Sequence, residues 1–349
     1  MTWFKDLNVP EVFGFLRNQV TPFLINTTDG EQLHAWHILP VELYRKHELS
    51  LVAEPAGLVS DVTARFAFQL LRDDPSARLV LHMHGAAGTV GSGHRVPNYR
   101  ALSAGQPGKI HVLAFDYRGF GQSTGSPSED GLITDALAVV DWAMNVAGIP
   151  ASRIVVFGQS LGTAVSIAVS ARLALRSPPV VCAGTVLVAP FTDVAALAAS
   201  YRLAGTVPIL SPFAKFPLLF RYLQRFVRDQ WPSKDRIAQY VRANEQNGMA
   251  YRLTIIHAKD DYDIPWAHAE AVVNASVPAG ISYDGLEQRK LASRRDLGAA
   301  GTVTEWHTAY GVIREEILTT GLHDVVMGYP VVTMAVMHSF EAADPLFSC

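Results

Sequence analysis

A serine between two glycines is the residue of this sequence that is best suited to nucleophilic chemistry. Residues 158–162, Gly-Gln-Ser-Leu-Gly, follow the apolar run 154–157 and lead into a second apolar run that starts at Thr163. This spacing between a strand and a helix is typical of a nucleophile elbow, in which the serine occupies a strained turn and the glycines keep side chains away from it. We predict that Ser160 attacks a carbonyl carbon; the alternative is an ordinary Gly-Ser turn.

Such a serine needs a base that takes its proton and an acid that orients the base. In hydrolases with this elbow the chain order is serine, acid, histidine. Three carboxylates, Asp260, Asp261 and Asp263, follow the mainly apolar run 253–258. We choose Asp261 as the acid, Asp263 as the second candidate and Asp260 as the third, and we interpret the others as part of a solvated acidic turn.

The best candidate for the base is His323, in the segment Gly-Leu-His-Asp between the last predicted strand and the last predicted helix. A loop that begins with glycine can bring an imidazole to the serine, and histidine is the commonest general base. His307 precedes that strand and His338 lies within that helix. We interpret both as structural or surface histidines.

An oxyanion would be stabilised by backbone N–H groups from a loop after an earlier strand and from the residue after the nucleophile. Residues 82–88, His-Met-His-Gly-Ala-Ala-Gly, fit the first requirement because their small side chains let N–H groups face the site. We predict the amides of Ala86 and Leu161 as the donors. The residues expected to line the bound substrate are Gly85, Ala87 and Gln159.

Two histidines of this segment, His82 and His84, share one face of a strand and raise the alternative of a metal site. No third ligand follows at a suitable spacing, so we predict no metal here. The chemistry of a serine, an acid and a histidine needs neither a metal nor an organic cofactor, and we predict none. Farther along, Asp116 and Arg118 with nearby glycines indicate a hydrogen-bonded turn below the pocket. Binding of an anionic head group by Arg118 is the alternative.

The elements that position these residues alternate between short apolar runs and helical patterns, which favours a mainly parallel sheet covered by helices. We predict an N-terminal hairpin around Asp29-Gly30, a helix after Ser128 with apolar residues at i, i+4 and i+7, and a closing helix over 331–340. The clearest strands are 79–84, 112–116, 154–157, 185–189, 253–258 and 312–318.

Composition excludes several classes of protein. The chain has 349 residues, of which 49% are apolar and 17% are charged, and its net charge is −3. A disordered chain has too little apolar surface to fold, and a nucleic-acid-binding protein carries a basic patch. Cys182 and Cys349 are too few for a disulfide framework and are expected to be thiols. We expect a cytoplasmic protein with no cleaved signal peptide and no membrane span.

We predict a core formed by residues 1–195 and 251–349, interrupted by a helical cap over 196–250. Phenylalanine, tyrosine and leucine cluster in this insertion, so the cap could supply an acyl pocket and a surface for peripheral membrane contact. Helices that merely pack on the sheet are the alternative. A second irregular stretch, about 284–301, carries four basic residues and is predicted to be a mobile surface loop.

Several of these segments resemble the α/β-hydrolase superfamily. More narrowly, they are similar to the type of abhydrolase domain-containing protein twelve, which includes lysophosphatidylserine and monoacylglycerol lipases and fungal relatives. The resemblance is densest in residues 84–89, 94–96, 115–119, 158–163, 189–192 and 257–261. It implies an eight-stranded α/β-hydrolase sheet, with Ser160 as nucleophile, Asp261 as acid, His323 as base and residues 85–87 as oxyanion loop. The mammalian lipase has a membrane anchor, for which this chain starts too late, and Ala86 stands where the family often has Asn.

These observations predict a serine hydrolase that cleaves carboxylic esters, such as acyl glycerols or lysophospholipids, through an acyl-enzyme on Ser160. An acyltransferase, a thioesterase or a peptidase could use the same triad, and a catalytically silent binding module could use the same fold. The expected partner is a small acyl ester, not a nucleic acid.

Overall fold

The computed structural model describes residues 5–200, 202–203, 207–208, 228–277 and 293–347. The chain divides into two compact units. The first is Met1–Phe157 with Cys182–Gly184 and Met327–Cys349, and the second is Gly158–Val181 with Thr185–Val326. Three parts of the sequence-based predictions lie outside the described residues: the aromatic cluster of the cap, the first part of the basic loop at 284–292, and Cys349.

The first unit contains an N-terminal hairpin followed by buried parallel strands. Its strands are β1 (Val20–Asn26), β2 (Gln32–Ile38), β3 (Arg78–Met83), β4 (Ile110–Phe115) and most of β5 (Ile154–Gln159). In space they follow the order β1-β2-β4-β3-β5. β1 and β2 are antiparallel, as are β2 and β4, whereas β3 and β4 are parallel. Every residue of β3, β4 and β5 is buried, as expected for strands covered on both faces.

The second unit contains parallel strands followed by an antiparallel meander. Its strands are most of β6 (Gly184–Val188), the short pair β7 (Arg202–Leu203) and β8 (Val207–Pro208), β9 (Tyr251–Ala258), β10 (Arg294–Asp296), β11 (Gly301–His307) and β12 (Gly311–Leu318). The order in space is β6-β9-β12-β11-β10, with β7 and β8 paired separately. β9 runs parallel to both β6 and β12, and the last three strands pair antiparallel.

Nine α-helices lie in the described ranges. They are α1 (Val41–Ala53), α2 (Phe66–Arg72), α3 (Arg95–Ser103), α4 (Glu129–Asn145), α5 (Leu161–Ala174), α6 (Val194–Ser200), α7 (Ser233–Asn247), α8 (Ala267–Ser276) and α9 (Pro330–Ala343). α1–α4 and α9 belong to the first unit and α5–α8 to the second. None of these helices has the length and apolar character that crossing a membrane requires.

Most of the predicted elements are confirmed. The six strands and the hairpin are present, α4 begins after Ser128, and α9 covers the predicted closing helix. The Ser128 hydroxyl accepts a hydrogen bond from the Gly131 N–H at 3.2 Å and so caps α4.

The predicted number of eight strands is wrong. In the described residues the first unit contributes the five strands β1–β5, and the second unit contributes five more besides the short pair β7 and β8. Part of the predicted mobile loop is the strand β10, which pairs with β11. All three residues of β10 are exposed. No alternation of apolar and polar residues therefore marks this strand in the sequence, and only its backbone pairing reveals it.

Arg118 ties the N-terminal hairpin to α4 within the first unit. Its guanidinium donates to both carboxylate oxygens of Asp29, at 2.7 and 2.9 Å, and to Oδ1 of Asp135. Its backbone N–H donates to the other oxygen of Asp135 at 2.8 Å. Asp135 is fully buried whereas the Asp29 side chain is 45% exposed. The predicted hydrogen-bonded turn is present, with these two acids as the partners of Arg118.

Replacing Arg118 by methionine is expected to lower the free energy of unfolding by about 3–5 kcal/mol, because it leaves the Asp135 carboxylate buried without its cation. Asp29→Asn is the matched control. It breaks an ion pair on the exposed side of the same guanidinium and should cost about 1 kcal/mol or less. Urea denaturation followed by tryptophan fluorescence measures both. Equal losses in the two variants would contradict a dominant role for the buried pair.

Candidate active site

Ser160 occupies a strained turn between β5 and α5. Its backbone angles are φ 54° and ψ −121°, a region that side-chain-bearing residues rarely adopt. The Ser160 N–H donates to the Val188 carbonyl at 3.0 Å, and the Thr163 hydroxyl donates to the Ser160 carbonyl at 2.6 Å. These two bonds hold the turn from the strand side and from the helix side.

Gly158 explains the glycine spacing of the motif. A Cβ atom at this position would lie 2.3 Å from the Gly162 carbonyl oxygen and 2.5 Å from the Ser166 hydroxyl. The strand end and the first turn of α5 can approach this closely only because residue 158 has no side chain. Ser160 itself remains partly exposed at the tip of the turn.

Asp261 lies in the turn after β9 and accepts four hydrogen bonds. Its Oδ1 accepts the backbone N–H groups of Asp263 and Ile264, both at 2.9 Å. Its Oδ2 accepts from Nδ1 of His323 at 2.8 Å and from Nε2 of His257 at 3.1 Å. Because a carboxylate is only an acceptor, Nδ1 of His323 carries the proton, and Nε2 of the neutral ring is left without one.

The loop that carries His323 is held at two further points. The Leu322 N–H donates to the Asp260 carboxylate at 2.9 Å. The side-chain amide of Gln159 donates to the His323 carbonyl at 3.3 Å and to the Asp324 carboxylate at 3.2 Å. Since Gln159 directly precedes the serine, these bonds place the histidine loop beside the elbow.

The Ser160 hydroxyl makes no hydrogen bond to His323 among the described residues. Such bonds between a catalytic hydroxyl and its base often tighten only when substrate is bound.

The charges around His323 favour its protonated form. Burial acts to lower the pKa of His323, but the hydrogen bond and the charge of Asp261, followed by the charges of Asp324 and Asp263, raise this pKa above its ordinary value. Burial also acts to raise the pKa of Asp261, yet the bonds from His257 and His323 hold it well below its usual range. Asp261 therefore stays ionised and favours the protonated form of the His323 imidazole.

The other candidates occupy different positions. Asp263 contributes its backbone N–H to Asp261, and burial raises the pKa of its own carboxyl group. Asp260 bonds to the histidine loop rather than to the imidazole. The side chain of His307 is 71% exposed and lies 3.1 Å from the Glu305 carboxylate, as expected for a surface histidine.

Asp261, Asp263 and His323 each offer one ligand atom, and these atoms lie within 4.8 Å of one another. In the described part of the chain no other group of three such residues is close enough to bind a metal ion. His82, which we considered as a ligand, donates instead to the Asn98 side chain at 2.9 Å, and Nδ1 of His84 donates to the Gly85 carbonyl at 2.7 Å.

The sequence-based reasoning did not assign a role to His257. This residue is fully buried in β9, and its Nε2 lies within hydrogen-bond distance of the Asp261 carboxylate and, at 2.9 Å, of the Ile264 carbonyl. Both partners are acceptors, so Nε2 carries the proton. The signal in the sequence is the four-residue spacing between this histidine and the acid across the end of a strand.

The predicted oxyanion loop lies in the first unit. Ala86, Ala87 and Gly88 are exposed at its tip, and Gly85 is buried at its base. Ala87 and Gly88 have positive φ angles of 60° and 70°. The roles of the Ala86 and Leu161 amides as donors, and of Gly85, Ala87 and Gln159 against the substrate, stay predictions.

Comparison by sequence shows which known proteins this chain is similar to. The lysophosphatidylserine lipase ABHD12 of Xenopus tropicalis is 30% identical over 300 residues, which are 85% of this chain and 67% of the lipase. The human protein ABHD12B is 34% identical over 215 residues, 61% of this chain and 53% of that protein. The chain thus spans between about half and two thirds of the length of these relatives.

Comparison by structure shows the fold. The Pyrococcus furiosus esterase Pf2001 matches with a TM-score of 0.53 and 16% identity, over 95% of this chain and 94% of the esterase. Est1E from Butyrivibrio proteoclasticus, solved with ferulic acid, matches with a TM-score of 0.51 and 15% identity, over 90% of this chain and 95% of Est1E. A sequence profile of the Alpha/beta hydrolase family matches residues 79–331. The chain belongs to the alpha/beta hydrolase family.

Proposed function

We propose that this protein is a serine hydrolase of carboxylic esters, with Ser160 as nucleophile, His323 as general base and Asp261 as the acid that orients it. The observation that carries the proposal is the 2.8 Å contact between Nδ1 of His323 and Oδ2 of Asp261. It is supported by the strained elbow at Ser160 and by Gln159, which bonds to the same histidine loop.

In this mechanism the Ser160 hydroxyl attacks the ester carbonyl while Nε2 of His323 takes its proton. The tetrahedral intermediate carries its negative charge on the former carbonyl oxygen, which the Ala86 and Leu161 N–H groups are proposed to bind. As the intermediate collapses, His323 gives its proton to the leaving alcohol and the acyl group stays on Ser160. Water, activated by the same imidazole, then releases the carboxylic acid and restores the serine.

The substrate we propose is an acyl glycerol or a lysophospholipid with a medium or long acyl chain. The support comes from the Xenopus tropicalis relative, which is named as a lysophosphatidylserine lipase. In this proposal the segment 196–250 forms a cap that provides the acyl pocket and contacts a membrane surface peripherally. Its richness in aromatic residues supports this assignment.

A fluorophosphonate probe tests the proposal directly, because it phosphonylates an activated serine. We expect one adduct on the full chain, located at Ser160 by peptide mapping, and a loss of ester hydrolysis in proportion to labelling. A panel of esters that differ in acyl length and head group, assayed with and without an alcohol acceptor, separates hydrolysis from acyl transfer. Hydrolysis that persists after complete labelling, or an adduct on another serine, would overturn the assignment.

A further inference from the structure

Arg95, at the start of α3, is a buried cation that the mechanism does not use. Only 7% of the surface of Arg95 is exposed to solvent. The guanidinium donates to two carbonyl groups of the predicted oxyanion loop, at Gly85 (3.0 Å) and Ala87 (2.6 Å), and to the Thr89 carbonyl just after it. A buried charge must be compensated by hydrogen bonds, so this loop and this guanidinium depend on each other.

The geometry of the peptide bond gives these contacts a further consequence. In a planar trans peptide the C=O of one residue and the N–H of the next point in opposite directions. Because the Gly85 carbonyl points at Arg95, the Ala86 N–H points away from it, and the same holds for the Gly88 N–H after Ala87. Arg95 is buried whereas Ala86 and Gly88 are exposed, so both N–H groups are turned away from the buried side.

The third peptide of the series provides an independent check. The Thr89 carbonyl accepts from Arg95, and the Val90 N–H of the same peptide donates to the Asp116 carboxylate at 2.7 Å. The peptide between Thr89 and Val90 is thus held at both its carbonyl and its N–H. This bond also fixes the chain direction shortly after Ala87, a residue with a side chain whose positive φ of 60° needs such support.

We propose that Arg95 is the positioning residue of the oxyanion hole, and that it acts by holding the Gly85 peptide so that the Ala86 N–H stays on the exposed side of its loop, where the proposed function uses it as an oxyanion donor. This inference rests on the proposed function. Loss of one N–H donor from an oxyanion hole lowers kcat about 10²–10³-fold. The loss falls on kcat because a correctly aligned donor stabilises the transition state and not the bound ester. Arg95 itself does not touch the substrate.

The test uses Arg95→Met and Arg95→Lys in the full chain, with rates expressed per active site titrated by the fluorophosphonate probe. We expect Arg95→Met to lower kcat about 10²-fold with KM nearly unchanged. Arg95→Lys should lose less, since its ammonium keeps the charge but cannot reach three carbonyls at once. The affinity for a trifluoromethyl ketone of the same acyl chain, which forms a tetrahedral oxyanion on the serine, should fall by the same factor as kcat.

Arg100→Met is the matched control, because Arg100 lies on the same helix and donates to the Gly14 carbonyl at the surface. Its kcat and its ketone affinity should equal those of the wild type. Three results would each overturn the inference. In Arg95→Met these are a loss only in the number of titratable sites, or a rise in KM at constant kcat. In Arg95→Lys it is a kcat equal to that of the wild type. Failure of this inference is distinguishable from failure of the proposed function. If only the role of Arg95 is wrong, the wild type and Arg100→Met still hydrolyse esters, whereas if the proposed function is wrong neither protein does.

Discussion

Ser160→Ala is expected to lower kcat for ester hydrolysis by at least about 10⁴-fold and to abolish labelling by the fluorophosphonate probe. Without the hydroxyl no acyl-enzyme can form, and the remaining rate comes from water attacking an ester held in the site. The effect should fall on kcat, while binding of the ester changes little. Steady-state hydrolysis of the best ester in the panel, with active-site titration, measures both quantities.

Ser152→Ala is the control for this substitution, since Ser152 is an exposed serine before β5. It should label and hydrolyse like the wild type. The Ser160→Ala protein should also keep the thermal denaturation midpoint of the wild type or exceed it, because the substitution removes no hydrogen bond of the hydroxyl among the described residues. Labelling that survives in Ser160→Ala would assign the nucleophile to another residue.

Asp261→Asn is expected to lower kcat by about 10⁴-fold. Four groups face this carboxylate, and all of them are donors. They are the imidazoles of His323 and His257 and two backbone N–H groups. An asparagine offers one acceptor oxygen and a donor NH₂, so it must face some of these N–H groups with its own. The imidazole of His323 then loses its orienting partner or adopts the wrong tautomer.

The same substitution should change the pH dependence of kcat/KM. Asp261 raises the pKa of His323, and the base works in its neutral form, so activity falls as the pH drops below that pKa. Removing the charge of Asp261 lowers the pKa of His323, and the acid limb of the profile moves to lower pH.

Asp263→Asn tests the second candidate for the acid. It retains the backbone N–H that Asp263 contributes and should lower kcat less than about 10-fold, and the reverse order of losses would assign the role to Asp263.

Local features of the chain could be predicted well from the sequence. The elbow is encoded by residues 158–162 themselves, because the approach of strand to helix requires glycine at position 158 whatever the rest of the fold does. The buried strands are marked by their apolar runs, and α4 is marked by its capping serine and its periodicity. The strand β10 was missed because its three residues are exposed and only its partner β11 makes it a strand.

The sequence by itself determined the strained turn at Ser160, the order in which Ser160, Asp261 and His323 follow one another, and a sheet covered by helices. Only the tertiary structure decided which of three neighbouring carboxylates meets the imidazole, and it gave His257 and Arg95 their partners. The physical reason is that Asp260, Asp261 and Asp263 stand in one short stretch of the chain and so have nearly the same sequence neighbours. They differ in which distant group each can reach, and His323 lies 62 residues farther along the chain. Loop closure and strand register set that encounter, and neither is encoded in a short segment.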